Sequence, residues 1–406
     1  MKVGYHKLDI TPDNSVFQAG YNRKLKSEGV LDPIEINTII FESSFKKIVI
    51  CLLDSIIIED SIIEKVKDKV QTNLHIEKQY VTIGCIHTHS APAYFKPYFE
   101  EVTVEKDLQI NLVDQMYHSI KEAINNIEDC SIKITNNTID GVYGNRNIKD
   151  GIANKQFFML HCYNQQKDLK CIFGNLACHP TILNGDNQLL SADLFGQLRK
   201  DLSIQYHCPI MLSNSYAGDV STRFYRQQSG VKELERVSLE IIKQLHIQEE
   251  DVLCRSINTS TICKEYTLDT KVDTDHLWMR QTLERNIGET DNQNLISNYQ
   301  MMLRCLVIKE QNSPMTLKLS SNIYFFGSLF IITLPGDVTS ILGKRIEEAL
   351  SDYTVIILGY CENYSNYLVC EEDYGKYFES YITRLAKGKA DAFIDSVIES
   401  AKSLLK

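Results

Sequence analysis

No stretch of this 406-residue chain is both long and apolar enough to span a bilayer; Ile48 to Ile58 and Tyr324 to Leu334 are the most apolar runs, and both are too short or too interrupted. The first twelve residues, Met1 to Pro12, have no apolar core of a secretion signal, so a cytoplasmic location is expected. Basic runs are missing too, and aromatic residues do not alternate with basic ones. With a net charge of −10 and a pI near 5.6, nucleic acid and anionic membrane are excluded as main partners. The twelve cysteines contain no C-x-x-C pair, which excludes a zinc ribbon or a thioredoxin-type site. Several, such as Cys51, Cys171 and Cys178, lie inside apolar strand-like runs and read as reduced, buried thiols. Internal repeats and low-complexity tracts are absent. So is the Gly-x-Ser-x-Gly elbow, and with it the usual signal for a serine-hydrolase triad.

What is present is a globular composition, 43% hydrophobic and 24% charged. The length suits one large α/β domain or two ordinary ones. We read residues 1–406 as a single catalytic domain of mixed β-sheets with flanking helices. A change of character at about 250–312 marks a subdomain or insertion there. Strands are expected at Glu35 to Phe41, Lys47 to Asp54, Tyr80 to Cys85, Ser131 to Thr138, Lys155 to Tyr163, Lys170 to Cys178 and Pro209 to Ser213. Further strands are expected through Cys254 to Thr267, at Met315 to Ser321, Asn322 to Phe326, Leu329 to Leu334 and Thr354 to Leu358. Leu108, Leu112, Met116 and Ile120, at four-residue steps, predict an amphipathic helix over Val104 to Asn126. Helices are also expected at Ser61 to Leu74, at Val231 to Leu245, at Thr339 to Leu350 and near Leu404. One begins at Ser191 to Asp193 and runs through Tyr206, and a charged helical run covers Asp275 to Ile308.

Polar clusters recur just after apolar strands, where α/β enzymes place ligands. The clearest is Val81 to Ala93, a buried strand leading into His87 and His89. In an extended backbone these two side chains point to one side, which suits a metal ion or one ligand with a catalytic neighbour. A pair of satisfied histidines at a sheet edge is the plainer interpretation. His179 ends a second strand, before Pro180. Asp337 ends a third, after Pro335 and Gly336, and is either a helix N-cap or an oxygen ligand. Two histidine nitrogens with one carboxylate form a common catalytic zinc set. Gly218, Asp219, Val220 and Ser221 make a tight polar turn. Arg146 and Arg223 occupy site-like loops, where either binds an oxyanion or carboxylate, or forms a surface ion pair.

Six clusters, in the same order along most of the chain, resemble the neutral (alkaline, non-lysosomal) ceramidase family. They are His87 to Ser90, Asn145 to Asn147, Ala177 to Pro180, Gly218 to Ser221, Pro335 to Thr339 and Tyr364 to Tyr367. The resemblance implies a short, cytosolic-type bacterial member with one zinc ion at the carboxyl ends of strands. It makes His87, His179, Asp337 and Tyr367 the metal ligands and His89 the neighbour facing the substrate or the attacking water. Arg146 would hold substrate, and Ser221 with Asp219 would belong to the catalytic group.

Four departures stand out. Asp337 replaces the family's glutamate, Thr222 follows Ser221 where the family has proline, and Ala91 to Tyr94 replaces a glycine-rich stretch. No counterpart of the family's secretion signal or C-terminal immunoglobulin-like domain is expected. The expected function is therefore zinc-dependent hydrolysis of a linear amide, on a small or lipid-like N-acyl amine in place of ceramide. The alternatives are an esterase or lactonase on the same metal site, a Ser221-centred nucleophile, or a silent homologue that binds metal or ligand.

Overall fold

The computed structural model describes residues 1–98, 100–246, 248–252 and 256–405. Strand Lys46–Leu53 shows how the layers arise. Its six buried residues are all apolar, and they divide by parity: Val49, Cys51 and Leu53 join one core, while Ile48, Ile50 and Leu52 join another. A strand buried on both faces must read as a continuous apolar run, as this one does.

That strand belongs to a large mixed sheet whose order runs Ile210–Asn214, Leu169–Leu176, Gln156–Asn164, Glu128–Thr138, Lys2–Asp9, Glu35–Ser43, Lys46–Leu53, Val81–Cys85. The pairs at its two ends are parallel. Helices α1 (Asp60–Leu74), α2 (Lys106–Asn125), α3 (Leu194–Tyr206) and α4 (Val231–Ile242) contribute to the first core, on one face of this sheet. Leu112, Met116 and Ile120 of α2 are fully buried there, as their spacing predicts. Replacing one of them by alanine is expected to cost about 2–5 kcal/mol. Asp193 accepts the Leu194 N–H as the N-cap of α3.

The other face packs on a four-stranded sheet, Asn258–Leu268, Met315–Phe325, Leu329–Thr333 and Thr354–Leu358. Tyr324, Phe326, Ile331 and Ile356 supply its side of the shared core. The far face, with Ile323, Phe330 and Ile332, is covered by α7 (Ser340–Ala349) and α9 (Lys389–Ser403). The result is helix, sheet, sheet, helix. This is the mixed α/β architecture with flanking helices that the sequence predicts.

Several boundaries differ from expectation. Met315–Phe325 is one strand, not two, because it pairs without interruption along Asn258–Leu268. Cys254 and Arg255, at the start of the strand expected through Cys254 to Thr267, lie outside the described residues. The helical run after it is two helices, α5 (Thr274–Glu289) and α6 (Gln293–Gln311), because Asn292 starts a new helix by accepting the N–H groups of Asn294 and Leu295. Strand Leu169–Leu176 stops two residues short of Cys178, where Asn214 receives the Cys178 N–H. The α5–α6 hairpin packs through Met279, Leu283 and Leu306 onto Tyr374 and Tyr381, beside the short α8 (Phe378–Ile382).

Candidate metal centre

Three strand ends converge. His87 follows Val81–Cys85, His179 follows Leu169–Leu176, and Asp337 follows Leu329–Thr333, so each lies just past the carboxyl end of a strand. His87 and His179 are 3% exposed and Asp337 is wholly buried. The His87 Nε2 lies 3.3 Å from the Asp337 Oδ1, and the His179 Nε2 lies 3.6 Å from the same oxygen. His89 joins them, its Nε2 3.4 Å from the His87 Nε2. One nitrogen from each of the three histidines falls within 4.8 Å of the others.

The histidine pair does not meet by the route its spacing suggested. The strand ends at Cys85, and His87 has φ +70°, in the left-handed region that non-glycine residues avoid. The two rings stand nearly perpendicular, at 81°, with centroids 5.0 Å apart. Backbone strain at His87, not strand alternation, brings them together. Tyr21, Asn22, Tyr360 and Asn366, in loops around the centre, also have positive φ.

Protons are assigned by what each ring faces. His87 donates Nδ1–H to the Ile56 carbonyl at 2.6 Å, and His179 donates Nδ1–H to the Ala217 carbonyl at 2.8 Å. A carbonyl only accepts, so Nδ1 carries the proton in both rings. Burial holds both imidazoles below their ordinary pKa, hence neutral, which leaves each Nε2 with a bare lone pair. Those lone pairs face the Asp337 Oδ1, which receives no hydrogen bond from the described residues. Its other oxygen takes the Tyr364 hydroxyl at 2.5 Å. A buried carboxylate oxygen facing two unprotonated nitrogens is costly unless a cation lies between them. The donor set fits one: two oriented imidazoles and a braced carboxylate are what divalent metals take, with backbone carbonyls fixing the rings.

Asp337 is not the cap of the following helix; Thr339 occupies that position. Asp337 instead pairs in parallel register with Tyr367. The Tyr367 ring stacks parallel to His179, centroids 6.5 Å apart. Its hydroxyl accepts from Arg146 at 3.0 Å, and burial raises its pKa. Arg146 also binds Glu379, through Nε at 2.8 Å and a terminal nitrogen at 2.6 Å. Burial alone would depress the guanidinium, but Tyr367 and Glu379 overrule it and keep the group charged.

The Gly218 to Ser221 turn lies beside these residues. The Asp219 carboxylate accepts from Ser340 N and Oγ at 2.8 and 2.6 Å and from Asn145 at 2.9 Å. Its carbonyl takes the Arg146 N–H at 2.7 Å. Burial pushes this carboxyl up to about 6. The Ser221 Oγ accepts the Arg223 N–H at 3.2 Å, and no histidine bonds it among the described residues.

Two cavities open from the centre. One, of about 380 Å³, is lined by His87 and His89 and by apolar side chains that include Ile56, Pro97, Met301 and Ile308. The other, of about 580 Å³, is lined by His89, His179, Arg146 and Arg223. His89, Tyr367, Tyr21 and Phe378 border both. Sequence reasoning missed Glu379 and the α6 wall, which no local pattern announces. It also passed over Tyr360, stacked on His87 at 4.4 Å, for which the tyrosine-rich run from Tyr360 to Tyr381 was the available signal.

Residues 1–200 match the family model described as neutral/alkaline non-lysosomal ceramidase, N-terminal. The resemblance read from the motifs is thus borne out over a stretch that contains His87, His89, Arg146 and His179. The fold is similar to the crystal structure of neutral ceramidase from Pseudomonas aeruginosa, at 17% identity and TM-score 0.76, over 99% of this chain and 74% of that one. It is also similar to a ceramidase complexed with C2, at 15% identity and TM-score 0.74, over 100% of this chain and 75% of that one. Comparison with curated protein sequences gives no match.

Proposed function

We propose that this protein is a metal-dependent amide hydrolase, with zinc as its metal, that cleaves a lipid-like N-acyl substrate. One observation carries the proposal: the buried Asp337 Oδ1 receives no hydrogen bond from the described residues and faces the Nε2 atoms of His87 and His179. These three residues would hold the ion, with the Tyr367 hydroxyl as a fourth donor. A divalent ion in such a set lowers the pKa of water toward ~7 and polarises a carbonyl. The nitrogen–oxygen set suits zinc, although supply also decides which first-row metal is taken.

The remaining roles follow from position. Among the described residues His89 has no partner at Nδ1, so unlike the other two rings it is not braced by a backbone carbonyl. Burial keeps it neutral. Bordering both cavities, it is placed to take the proton from the attacking water and pass it to the leaving nitrogen. Arg146, fixed by Glu379, stands ready for the oxyanion. Asp219 acts as a positioning residue, tying Arg146 and Asn145 to the start of α7. Ser221 holds the backbone of Arg223. The lack of a base on the Ser221 Oγ weighs against a serine nucleophile.

The apolar cavity suits an acyl chain and the polar one the amine half, with the scissile bond at their junction. Among the described residues no helix is long and apolar enough to cross a membrane. The eleven described cysteines are all unpaired, which supports a reducing compartment such as the cytoplasm. The function is tested by incubating metal-loaded protein with N-acyl amides and their matched esters and measuring released amine or alcohol. Release of free amine is expected. Ester cleavage without amide cleavage would favour the esterase reading, and no cleavage of either would favour a silent homologue.

A further inference from the structure

The two cavities at the histidines differ in charge: the apolar one carries Glu100 and Arg304, one of each sign, and the difference narrows the substrate class. This step rests on the amide-hydrolase reading above. Four charged side chains border the polar cavity: Arg146, Arg223 and Lys376 are positive and Glu379 is negative. The surplus is positive in a chain whose net charge is −10. Arg146 and Glu379 neutralise each other, and the second oxygen of Glu379 takes Asn147 at 3.0 Å. Lys376 has Asp373 beside it at 3.7 Å.

Arg223 remains. Among the described residues no carboxylate lies within ion-pair distance of it, and its guanidinium makes no hydrogen bond. Its backbone, by contrast, is fixed: the N–H goes to the Ser221 Oγ at 3.2 Å, and Arg226 three residues on bonds the Thr222 hydroxyl and the Thr181 carbonyl. An exposed, unpaired guanidinium on a fixed turn, bordering a cavity that shares His89 and His179 with the centre, is a recognition element for a planar anion.

We infer that the preferred substrate is an N-acyl amino acid, whose acyl chain fills the apolar cavity and whose carboxylate, on the amine half, pairs with Arg223. Water adds across the amide: the carbonyl carbon gains a C–O bond and loses its C–N bond. The proton from water goes to the departing nitrogen. The products are a fatty acid and a free amino acid.

N-lauroylglycine and N-lauroylethanolamine share acyl chain and amide and differ in a carboxylate against a hydroxymethyl group. The ratio of their kcat/KM values is to be measured for the metal-loaded wild type, Arg223→Gln and Arg223→Glu. The wild type should favour the glycine conjugate at least tenfold at low salt, with the preference shrinking as salt rises. Arg223→Gln should bring the ratio near one and Arg223→Glu should invert it. Calorimetry on metal-free protein should give the same order of Kd values without turnover. A wild-type ratio near or below one, or a ratio that neither variant moves, overturns the inference. If the ethanolamide is still cleaved in that case, the amide-hydrolase reading stands; if neither compound is cleaved, both fall.

Discussion

The Nε2 of His87 lies 3.3 Å from the Oδ1 of Asp337, with no proton of its own to offer across the gap. The two residues are 250 positions apart and come from different sheets. Each is held from behind, His87 by the Ile56 carbonyl and Asp337 by the Tyr364 hydroxyl. Two hydrogen bonds thus orient groups that face each other unsatisfied, an arrangement that suits a cation between them.

The histidines should separate by role. His87→Ala should lose bound metal, because it removes a braced nitrogen. His89→Ala should retain metal while kcat drops roughly 10²–10⁴-fold, the range for a general acid–base group. Metal content and single-turnover rates on both variants check this; equal metal loss in both would make His89 a ligand.

Asp337 depends on Gly218. A Cβ on Gly218 would stand 2.7 Å from the Asp337 carbonyl oxygen, and the Gly218 N–H bonds Val338 O at 2.9 Å. Gly218→Ala should therefore push the Asp337 backbone away from the centre. Metal affinity is expected to fall about 10–100-fold, with a stability loss of about 1–3 kcal/mol. Competition with a chelator reads the first and denaturant melts the second.

Helix α6 should set the acyl length. Met301 and Ile308 line the apolar cavity from this helix. Ile308→Trp should shorten the cavity and lower kcat/KM for long chains while sparing short ones. Each methylene excluded forfeits about 0.8 kcal/mol, near fourfold in rate. A series of acyl amides from four to sixteen carbons would show the shift.

Away from the centre, Asp32 makes stability depend on pH. Its carboxyl is turned inward against Gly196 and accepts from Ser191 and from the Ala192 N–H at 2.8 Å. Burial raises its pKa to about 7, above the unfolded value of about 3.9. The folded state therefore holds a proton that the unfolded state releases. Its contribution is complete below about pH 4 and is lost as pH rises through 7, at up to about 1.4 kcal/mol per unit. Asp32→Asn should flatten that decline in denaturant midpoints. Asp54, which burial also raises, keeps part of the slope.

Strand ends carrying His87, His179 and Asp337 are legible in sequence because apolar runs stop abruptly at polar residues. Mixed sheets with flanking helices are legible too, in runs such as Ile48 to Leu53 that leave no polar face, but the order of the layers is not. What holds the centre is not. The Ile56 and Ala217 carbonyls act through backbone atoms that every residue has, and Glu379 reaches Arg146 across 233 positions. Asp219 looked like an acid for chemistry, yet its oxygens are taken by Ser340 and Asn145. The 250–312 region showed no chemical cluster, and its contribution is a wall of Met301, Cys305 and Ile308, which reads as ordinary helix until α8 lies beneath it.

The most direct test of the centre is a metal titration. Protein stripped by chelation is reloaded with zinc in steps, and bound metal and the rate of N-acyl amide cleavage are recorded on the same samples. The rate should rise in proportion to bound metal and saturate at one ion per chain. Full turnover in the stripped protein would contradict this.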